Sequence, residues 1–378
     1  MEGHRGWSVK NETRFTLPSG TERGTSSVKP LRITFILTLS IVSIVAANAS
    51  AQPAPQRVII DTDPGVDDAM AILLALHSPE LKVEALTVVP GNVEAAQGLE
   101  NALKIVSLAD RCDVLVAGGA QHPLNQKLIT AQYWHGPNGL AGVDLPAPKC
   151  KPDGRFGPDL IIEMVHKYPH QITLIPVGPL TNIALAVSKD PGIVPLVKDI
   201  VIMGGSITGG NVNGAAEANI YNDPEAAQIV FNAGWVVTMI GSDVGERTLI
   251  TRKDVTRLQA NHAPESDFVA RLADFYVTRS EKSGYPGAAM YDPLAVATVI
   301  DPSLVTLQKM HVDVETRGEF TRGETVANRR GTDEKNVLHG DHYEIEGVVP
   351  LKSNARVCVA SNADRFVRLF VDRITEHK

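Results

Sequence analysis

The sequence is poor in cysteine and in aromatic residues. Its three cysteines, Cys112, Cys150 and Cys358, form no Cys-x-x-Cys pair and no Cys/His spacing typical of zinc sites. They allow one disulfide at most. Cys150 lies in the loop APKCKPDG and is the best candidate for an exposed thiol, although we interpret it as an ordinary loop residue. The cysteines therefore do not predict a structural metal centre.

The chain also has no excess of basic residues. It contains 36 Lys and Arg against 43 Asp and Glu, which gives a formal net charge of −7. This balance argues against a nucleic-acid-binding protein, so no nucleic-acid partner is expected. Where carboxylates cluster, an internal cation is favoured, because neighbouring acids need a counter-charge to stay ionised together.

No apolar run reaches the roughly 20 residues that span a bilayer. Residues 1–30 are polar, and they lead into the basic flank KPLR, the apolar segment ITFILTLSIVSIVAA and the small-residue pattern NASAQP. This order is typical of a secretory signal peptide. We predict cleavage near Ala51, one domain over residues 52–378, export to the periplasm or the medium, and no membrane contact after cleavage. An uncleaved membrane anchor is the alternative.

From residue 57 onward, short apolar segments rich in β-branched residues alternate with helical patterns. The predicted strands are RVII, VEALTVV, DVLVAGG, ITLIPV, DIVIMGG and WVVTMIG. Strands that are apolar on both faces and separated by helices indicate an α/β fold: a mostly parallel central sheet with helices on both faces, as in a Rossmann-like open sheet. Ligand sites in such folds lie at the carboxyl ends of the strands.

Several of these predicted strands are followed directly by polar residues or by glycines. The residues in question are Asp61 to Asp68, Gly91-Asn92, Gly178-Pro179, Gly204-Gly205 and Gly241-Ser242-Asp243. Two long loops, residues 119–156 and 206–222, interrupt the alternation, and loops of that length in a compact domain are usually functional. We therefore expect both loops to cover a pocket at this edge of the sheet.

The acidic loop DTDPGVDD places four carboxylates within eight residues, between a strand and a helix. Like charges this close favour a cation, and an all-oxygen ligand set favours Ca²⁺ or Mg²⁺. An EF-hand is excluded because Val66 and Ile72 stand where Gly and Glu are required. Helix capping by Asp67 and Asp68 is the simpler interpretation, but it explains two acids rather than four.

An aspartyl phosphatase of the haloacid dehalogenase kind also begins with a strand followed by Asp-x-Asp. In that interpretation Asp61 is the nucleophile and Asp63 the acid. The residues that follow, from Pro64 to Asp68, do not suit a phosphatase, and neither do the later motifs.

Together the motifs of the chain resemble the nucleoside hydrolases, the inosine-uridine-preferring N-ribohydrolase family. The resemblance covers nearly the whole chain after the signal peptide. It rests on the segments RVIIDTDPGVDDAMAI, PGNV (90–93), WHGPNGL (134–140), ITLIPVGPLTNIALA, IVIMGG, AEANIYNDPEAA (216–227), DPLAV (292–296) and RGEFTRGETV (317–326). Each segment is weak alone, but their order and spacing are specific.

The resemblance implies the nucleoside hydrolase fold and Ca²⁺-dependent hydrolysis of the N-glycosidic bond of ribonucleosides. It implies a Ca²⁺ held by Asp63, Asp68, Asp292 and the backbone carbonyl of Val177, with Asp61 behind them. In this scheme Ca²⁺ orients and acidifies a water whose proton Asp63 accepts. The implied ribose contacts are Asp67, Asn92, Met203 through its main chain, Asn211, Glu217 and Asn219. The family also implies a homodimer or homotetramer and a role in nucleoside salvage.

The chain departs from the family at the residue before Asp292, which is Tyr291 where broad-preference members usually carry His. We hypothesise that His135, Tyr291 and Trp134 form the nucleobase end of the pocket, with His135 the better candidate for protonating the leaving base. The simpler interpretation of His135 is a loop histidine packed beside Trp134. Tyr276 and Tyr285 are interpreted as lining a mobile lid. An exported nucleoside- or ribose-binding protein without catalysis is the alternative function.

Overall fold

An eight-stranded sheet forms the centre of the computed structural model, which describes Thr16 and residues 54–328 and 351–376. The predicted cleavage position near Ala51 and nearly all of the predicted signal peptide lie outside the described residues. No helix in the described part of the chain is long and apolar enough to cross a bilayer.

The strands and helices follow the alternation that the sequence predicts. The strands are β1 (Gln56–Thr62), β2 (Leu81–Val88), β3 (Leu115–Gly118), β4 (Ile172–Pro176), β5 (Asp199–Met203), β6 (Val237–Ile240), β7 (Leu249–Ile250), β8 (Ala288–Ala289), β9 (Val305–Met310), β10 (Val312–Val314), β11 (Thr325–Ala327) and β12 (Ala355–Ser361). The helices are α1 (Val66–Leu76), α2 (Ala95–Leu108), α3 (Gln132–His135), α4 (Gly157–Lys167), α5 (Thr181–Lys189), α6 (Ala218–Asn222), α7 (Pro224–Phe231), α8 (Ser242–Gly245), α9 (Arg252–Gln259), α10 (Pro264–Lys282), α11 (Tyr291–Ile300) and α12 (Ala363–Glu376). Two 3₁₀ segments, Pro191–Leu196 and Pro302–Leu304, complete the described elements.

The strand order of the main sheet is β3-β2-β1-β4-β5-β6-β12-β9. All neighbouring strands are parallel except β9, which pairs with β12 in the antiparallel sense. The predicted mostly parallel, Rossmann-like sheet is therefore confirmed. The order reverses between β1 and β4, and a reversal of this kind opens a crevice at the carboxyl ends of the two strands.

Both faces of the sheet are buried, as the apolar strands predict. In β1, Val58 and Ile60 pack into one hydrophobic cluster, whereas Ile59 between them packs into the other. Side chains alternate across a strand, so a strand covered on both sides is apolar throughout. Helices α1, α2, α10, α11 and α12 cover the first face, and α4, α5 and α7 cover the second.

Cys112 and Cys150 form a disulfide, which the sequence does not predict. Cys150 is buried, so both the exposed thiol and the ordinary loop residue are wrong interpretations, and Cys358 is the buried free thiol. The bond ties the segment after α2 to the end of the loop 119–156. Neither cysteine lies in a recognisable motif. Whether the two cysteines pair depends on the path of the loop 119–156.

Replacing both Cys112 and Cys150 with serine is expected to lower the free energy of unfolding by about 2–4 kcal/mol, because the disulfide closes a loop across 38 residues. Urea unfolding followed by circular dichroism measures the difference. A reducing agent should destabilise the wild-type protein by a similar amount and leave the double variant unchanged. Equal stability of the wild type and the double variant would contradict this expectation.

Candidate active site

The acidic loop spans the turn between β1 and α1, at the crevice where the strand order reverses. Asp68 turns back towards the start of its own helix: Oδ1 accepts hydrogen bonds from Thr62 Oγ1 (2.6 Å), and Oδ2 accepts one from Gly65 N (2.9 Å). Asn92, which follows β2, donates from Nδ2 to Asp68 Oδ2 at 2.8 Å. Capping therefore accounts for Asp68 but not for its acidic neighbours.

Asp63 is enclosed by the backbone of two neighbouring loops. Its Oδ2 accepts a hydrogen bond from Asn92 N at 2.7 Å, while Oδ1 is buried with no hydrogen-bond partner among the described residues. A Cβ atom at Gly91 or Gly178 would lie 2.1 Å or 2.5 Å from the Asp63 carboxylate oxygens. The glycines of PGNV and VGP are therefore required because any side chain would displace Asp63.

Asp292 joins the acidic loop from the first turn of α11. Carboxylate oxygens of Asp67, Asp68 and Asp292 lie within 4.8 Å of one another, and all three residues are buried. Burial, followed by the charge of Asp68, raises the pKa of Asp67 to about 7. Burial and then the charges of Asp67, Asp68 and Asp63 raise the pKa of Asp292 well above its ordinary value.

These carboxylates fit a bound cation. Burial and the charge of Asp68 also raise the pKa of Asp63 well above its ordinary value, so the metal-free cluster resists full ionisation. Asp63 Oδ1 is a further oxygen that receives no hydrogen bond from the described part of the chain. Because all these donors are oxygens, they suit a hard cation. The predicted ligands Asp68 and Asp292 lie together, with Asp67 as the third member of the group.

A cavity of about 500 Å³ opens above the acidic cluster. Most of the predicted site residues line it: Asp67, Asn92, Trp134, His135, Val177, Met203, Asn211, Glu217, Asn219, Tyr291 and Asp292. Asp63 and Asp68 lie outside this lining, as does Asp61, which accepts hydrogen bonds from Thr87 and Asn182. Among the described residues, no lysine or arginine lines the cavity.

The loop 206–222 and α6 bring polar groups to one side of the cavity. Glu217 lies directly before α6 and accepts hydrogen bonds from the backbone N–H groups of Gly205 and Asn219, both at 2.9 Å. Burial raises the pKa of Glu217 to about 7. Asn219 Nδ2 donates to the carbonyls of Val177 (2.8 Å) and Met203 (3.1 Å). This side therefore brings the predicted ribose contacts Glu217 and Asn219 to the ends of two neighbouring strands, β4 and β5.

His135, at the end of α3, also lines the cavity. Its Nδ1 is 3.1 Å from Val66 N, 2.8 Å from Tyr276 Oη and 3.6 Å from Asp67 Oδ1. Burial, helped by the charge of Arg279, lowers the pKa of His135 to about 3. His135 is therefore fixed by polar contacts, which a histidine that merely packs beside Trp134 does not require.

Tyr276 is a site residue that the sequence does not predict. Its side chain is buried on α10, and its hydroxyl contacts both His135 and Asp67, the latter at 3.2 Å. Its assignment to a lid lining is therefore wrong. Tyr285 also lines the cavity, but its side chain is exposed. Helix α10 has an ordinary amphipathic pattern, in which a tyrosine is expected to serve packing.

Tyr291 begins α11 directly before Asp292. Its ring lies against the backbone of Gly245, and its side chain lies near Asn211 in the loop 206–222. Burial, and then the charge of Glu246, raise its pKa above the ordinary tyrosine value. Tyr291 thus joins the helix that carries Asp292 to the side of the cavity that carries Asn211.

Comparison with known proteins gives consistent similarities. The model of the family described as "Inosine-uridine preferring nucleoside hydrolase" matches residues 58–368. The pyrimidine-specific ribonucleoside hydrolase RihA of Escherichia coli O9:H4 (strain HS) is 40% identical over 319 residues, which cover 84% of this chain and 97% of that protein.

Solved structures show the same similarity. A plant nucleoside hydrolase, PpNRh1, superposes with a TM-score of 0.77 at 36% identity, over 85% of this chain and 100% of the other. The purine-preferring ribonucleoside hydrolase from Gardnerella vaginalis superposes with a TM-score of 0.76, also at 36% identity, over 85% and 98% of the two chains.

Proposed function

Because the chain belongs to the inosine-uridine preferring nucleoside hydrolase family, we propose that it cleaves ribonucleosides in a calcium-dependent reaction within the cavity above the acidic loop. It is a nucleoside hydrolase, an enzyme that hydrolyses the N-glycosidic bond of ribonucleosides. The observation that carries the calcium proposal is the buried group Asp67, Asp68 and Asp292 beside the cavity, since three buried carboxylates this close need a cation.

The proposed Ca²⁺ ligands are Asp63, Asp68, Asp292 and the carbonyl of Val177. When bound, Ca²⁺ would supply Lewis acidity that makes water a better nucleophile at neutral pH. Asp63, whose Oδ1 has no other partner among the described residues, accepts the proton from the attacking water. The surrounding carboxylates also stabilise the positive charge that develops on the ribose as the C–N bond breaks.

The remaining polar residues of the cavity hold the ribose. Asp67, Asn92, Asn211, Glu217 and Asn219 all line the cavity. Hydrogen bonds from these groups to the sugar hydroxyls fix the anomeric carbon, so that binding energy at the sugar lowers the barrier at the scissile bond. Met203 contributes its main-chain carbonyl. His135 or Tyr291 then assists the departing base.

Export of the enzyme is part of the proposal. The amino-terminal sequence is typical of a signal peptide, and the Cys112–Cys150 disulfide is independent support, because disulfides persist mainly in oxidising compartments such as the periplasm. A homodimer or homotetramer and a role in nucleoside salvage stay predictions from the resemblance. No observation favours the phosphatase or the non-catalytic binding protein, and Asp61 does not line the cavity.

Release of ribose from a panel of inosine, adenosine, guanosine, uridine and cytidine tests the proposal. We expect turnover of at least one nucleoside, loss of that turnover after chelation, and recovery with Ca²⁺. The same protein should not release phosphate from 4-nitrophenyl phosphate. Absence of ribose release from every nucleoside in the presence of Ca²⁺ would overturn the function, and full activity after exhaustive chelation would overturn only the metal dependence.

A further inference from the structure

Arg279 lies outside the cavity lining but contacts the segment that carries two cavity residues. Its guanidinium Cζ is 5.0 Å from the centre of the Trp134 ring, and its Nη2 donates a hydrogen bond to the carbonyl of Tyr133 at 2.5 Å. Both partners belong to α3, the four-residue helix that ends at His135. The Arg279 side chain, which projects from α10, therefore contacts α3 at two points: the main-chain carbonyl of Tyr133 and the ring of Trp134.

Helix α3 needs such an external support. A four-residue helix makes very few internal hydrogen bonds, so its position depends on contacts with its neighbours. The side chain of His135 is held through Nδ1 by Val66 N and Tyr276 Oη. Those contacts hold only one ring nitrogen of His135. They do not by themselves hold the backbone of α3 or the Trp134 ring, which is only partly buried and lies 6.2 Å from the Tyr276 ring.

Arg279 and Tyr276 are three residues apart and therefore project from the same side of α10. Tyr276 contacts the side chain of His135, and Arg279 contacts the backbone of Tyr133 and the ring of Trp134. The simpler interpretation is a basic residue in the last turn that interacts with the helix dipole. A dipole interaction does not require the guanidinium to lie over a tryptophan of another element.

We propose that Arg279 is a positioning residue that clamps α3 against α10 and so sets Trp134 and His135 at the nucleobase end of the cavity. This inference rests on the proposed function, because it assigns the clamp to the leaving-base side of the reaction. A displacement of about 1 Å in such a group lowers a rate by up to about 10²-fold. The planar guanidinium stacks and donates at once, which a lysine ammonium cannot reproduce.

The test compares Arg279→Ala and Arg279→Lys with Arg271→Ala, a matched control on an exposed position of the same helix. The readouts are kcat and KM for the best nucleoside and for 4-nitrophenyl β-D-ribofuranoside, whose phenolate leaves without protonation. We expect Arg279→Ala to lower kcat/KM on the nucleoside by about 10- to 100-fold and on the nitrophenyl riboside by less than about threefold. The kcat/KM of Arg279→Lys on the nucleoside should lie between the values of the wild type and of Arg279→Ala, and Arg271→Ala should match the wild type.

A double-mutant cycle with Trp134→Ala provides a second readout, because residues that share a contact give non-additive effects. We expect the double variant to lose little more nucleoside activity than the more damaging single variant. Equal losses on both substrates, or unchanged nucleoside kinetics in Arg279→Ala, would overturn the clamp. A wild-type protein that cleaves no nucleoside would instead overturn the proposed function itself.

Discussion

Replacing Asp292 with asparagine is expected to lower kcat for nucleoside hydrolysis by roughly 10³-fold or more and to abolish Ca²⁺ binding. Asp292 lies with Asp67 and Asp68 in the buried carboxylate group, so its charge is part of what would hold the cation. Asparagine preserves the volume and one carbonyl oxygen while removing the charge. Initial rates with Ca²⁺ and direct calcium titration by calorimetry measure the two effects.

The same substitution should not unfold the metal-free protein. The pKa of Asp292 is raised well above its ordinary value by burial and by neighbouring carboxylates, so its ionised form destabilises the metal-free fold. We therefore expect Asp292→Asn, without metal at pH 8, to melt at the wild-type temperature or above it. The wild type should gain stability on addition of Ca²⁺, by about 2.7 kcal/mol at one hundred times the dissociation constant, whereas the variant should not.

Asp144→Asn provides the control, because Asp144 is exposed in the loop 119–156 and does not line the cavity. It should keep both the activity and the stabilisation by Ca²⁺. An Asp292→Asn protein that retains turnover and still gains stability with Ca²⁺ would show that the cation is held elsewhere or is not needed. A variant that loses turnover but keeps calcium stabilisation would separate the metal site from the catalytic role.

The fold and the location of the cavity could be predicted from the sequence because both depend on local patterns. The segment RVII is apolar at every position, and the structure buries Val58 and Ile59 on opposite faces of the sheet. Parallel strands place their carboxyl ends along one edge, so the polar residues after each strand had to meet. The two long loops were expected to cover a pocket, and both supply residues to the cavity.

The parts that could not be predicted depend on contacts between distant segments. The disulfide requires Cys112 and Cys150 to meet, which is decided by the path of the loop 119–156. Tyr276 becomes a site residue only because α10 packs over α1 and α3, and its sequence neighbours give no sign of that contact.

Glycines illustrate the same limit within the motifs that were recognised. The sequence places Gly91 and Gly178 directly after predicted strands, which is correct but incomplete. The structure shows that each makes room for the carboxylate of Asp63, and only the three-dimensional approach of the loops reveals this requirement. The two glycines belong to motifs that the sequence analysis recognised. The reason that glycine is required there is the Asp63 carboxylate, which belongs to a different motif.

Replacing His135 with alanine is expected to lower kcat on nucleosides by about 10²- to 10³-fold, the usual cost of removing a hydrogen-bond donor that stabilises the charge developing in the transition state. Because Nδ1 accepts the Val66 N–H, a neutral imidazole carries its proton on Nε2. Burial lowers the pKa of His135 to about 3, so the ring is neutral at pH 7 and acts as an N–H donor. Steady-state kinetics on each nucleoside of the panel measure the loss.

The nitrophenyl riboside separates an acid from a structural support. The leaving group of this substrate departs as an anion, so loss of a proton donor should leave kcat on the nitrophenyl riboside nearly unchanged. If the substitution instead disrupts the contact between α1 and α3, kcat should fall on both the nucleosides and the nitrophenyl riboside. Tyr291→Phe is the companion variant, because it removes only the hydroxyl that meets Asn211. An ordinary tyrosine is a poorer acid than histidine, so its loss should cost about tenfold or less.

Opposite outcomes would reassign the role. If His135→Ala retains wild-type turnover on every nucleoside, His135 does not assist the departing base. A large loss of turnover in Tyr291→Phe would then assign that role to Tyr291. If both variants retain turnover, the base departs without protonation by either group. The carboxylates that stabilise the ribosyl cation then supply most of the rate enhancement. In that case Asp292→Asn should lower kcat far more than either His135→Ala or Tyr291→Phe.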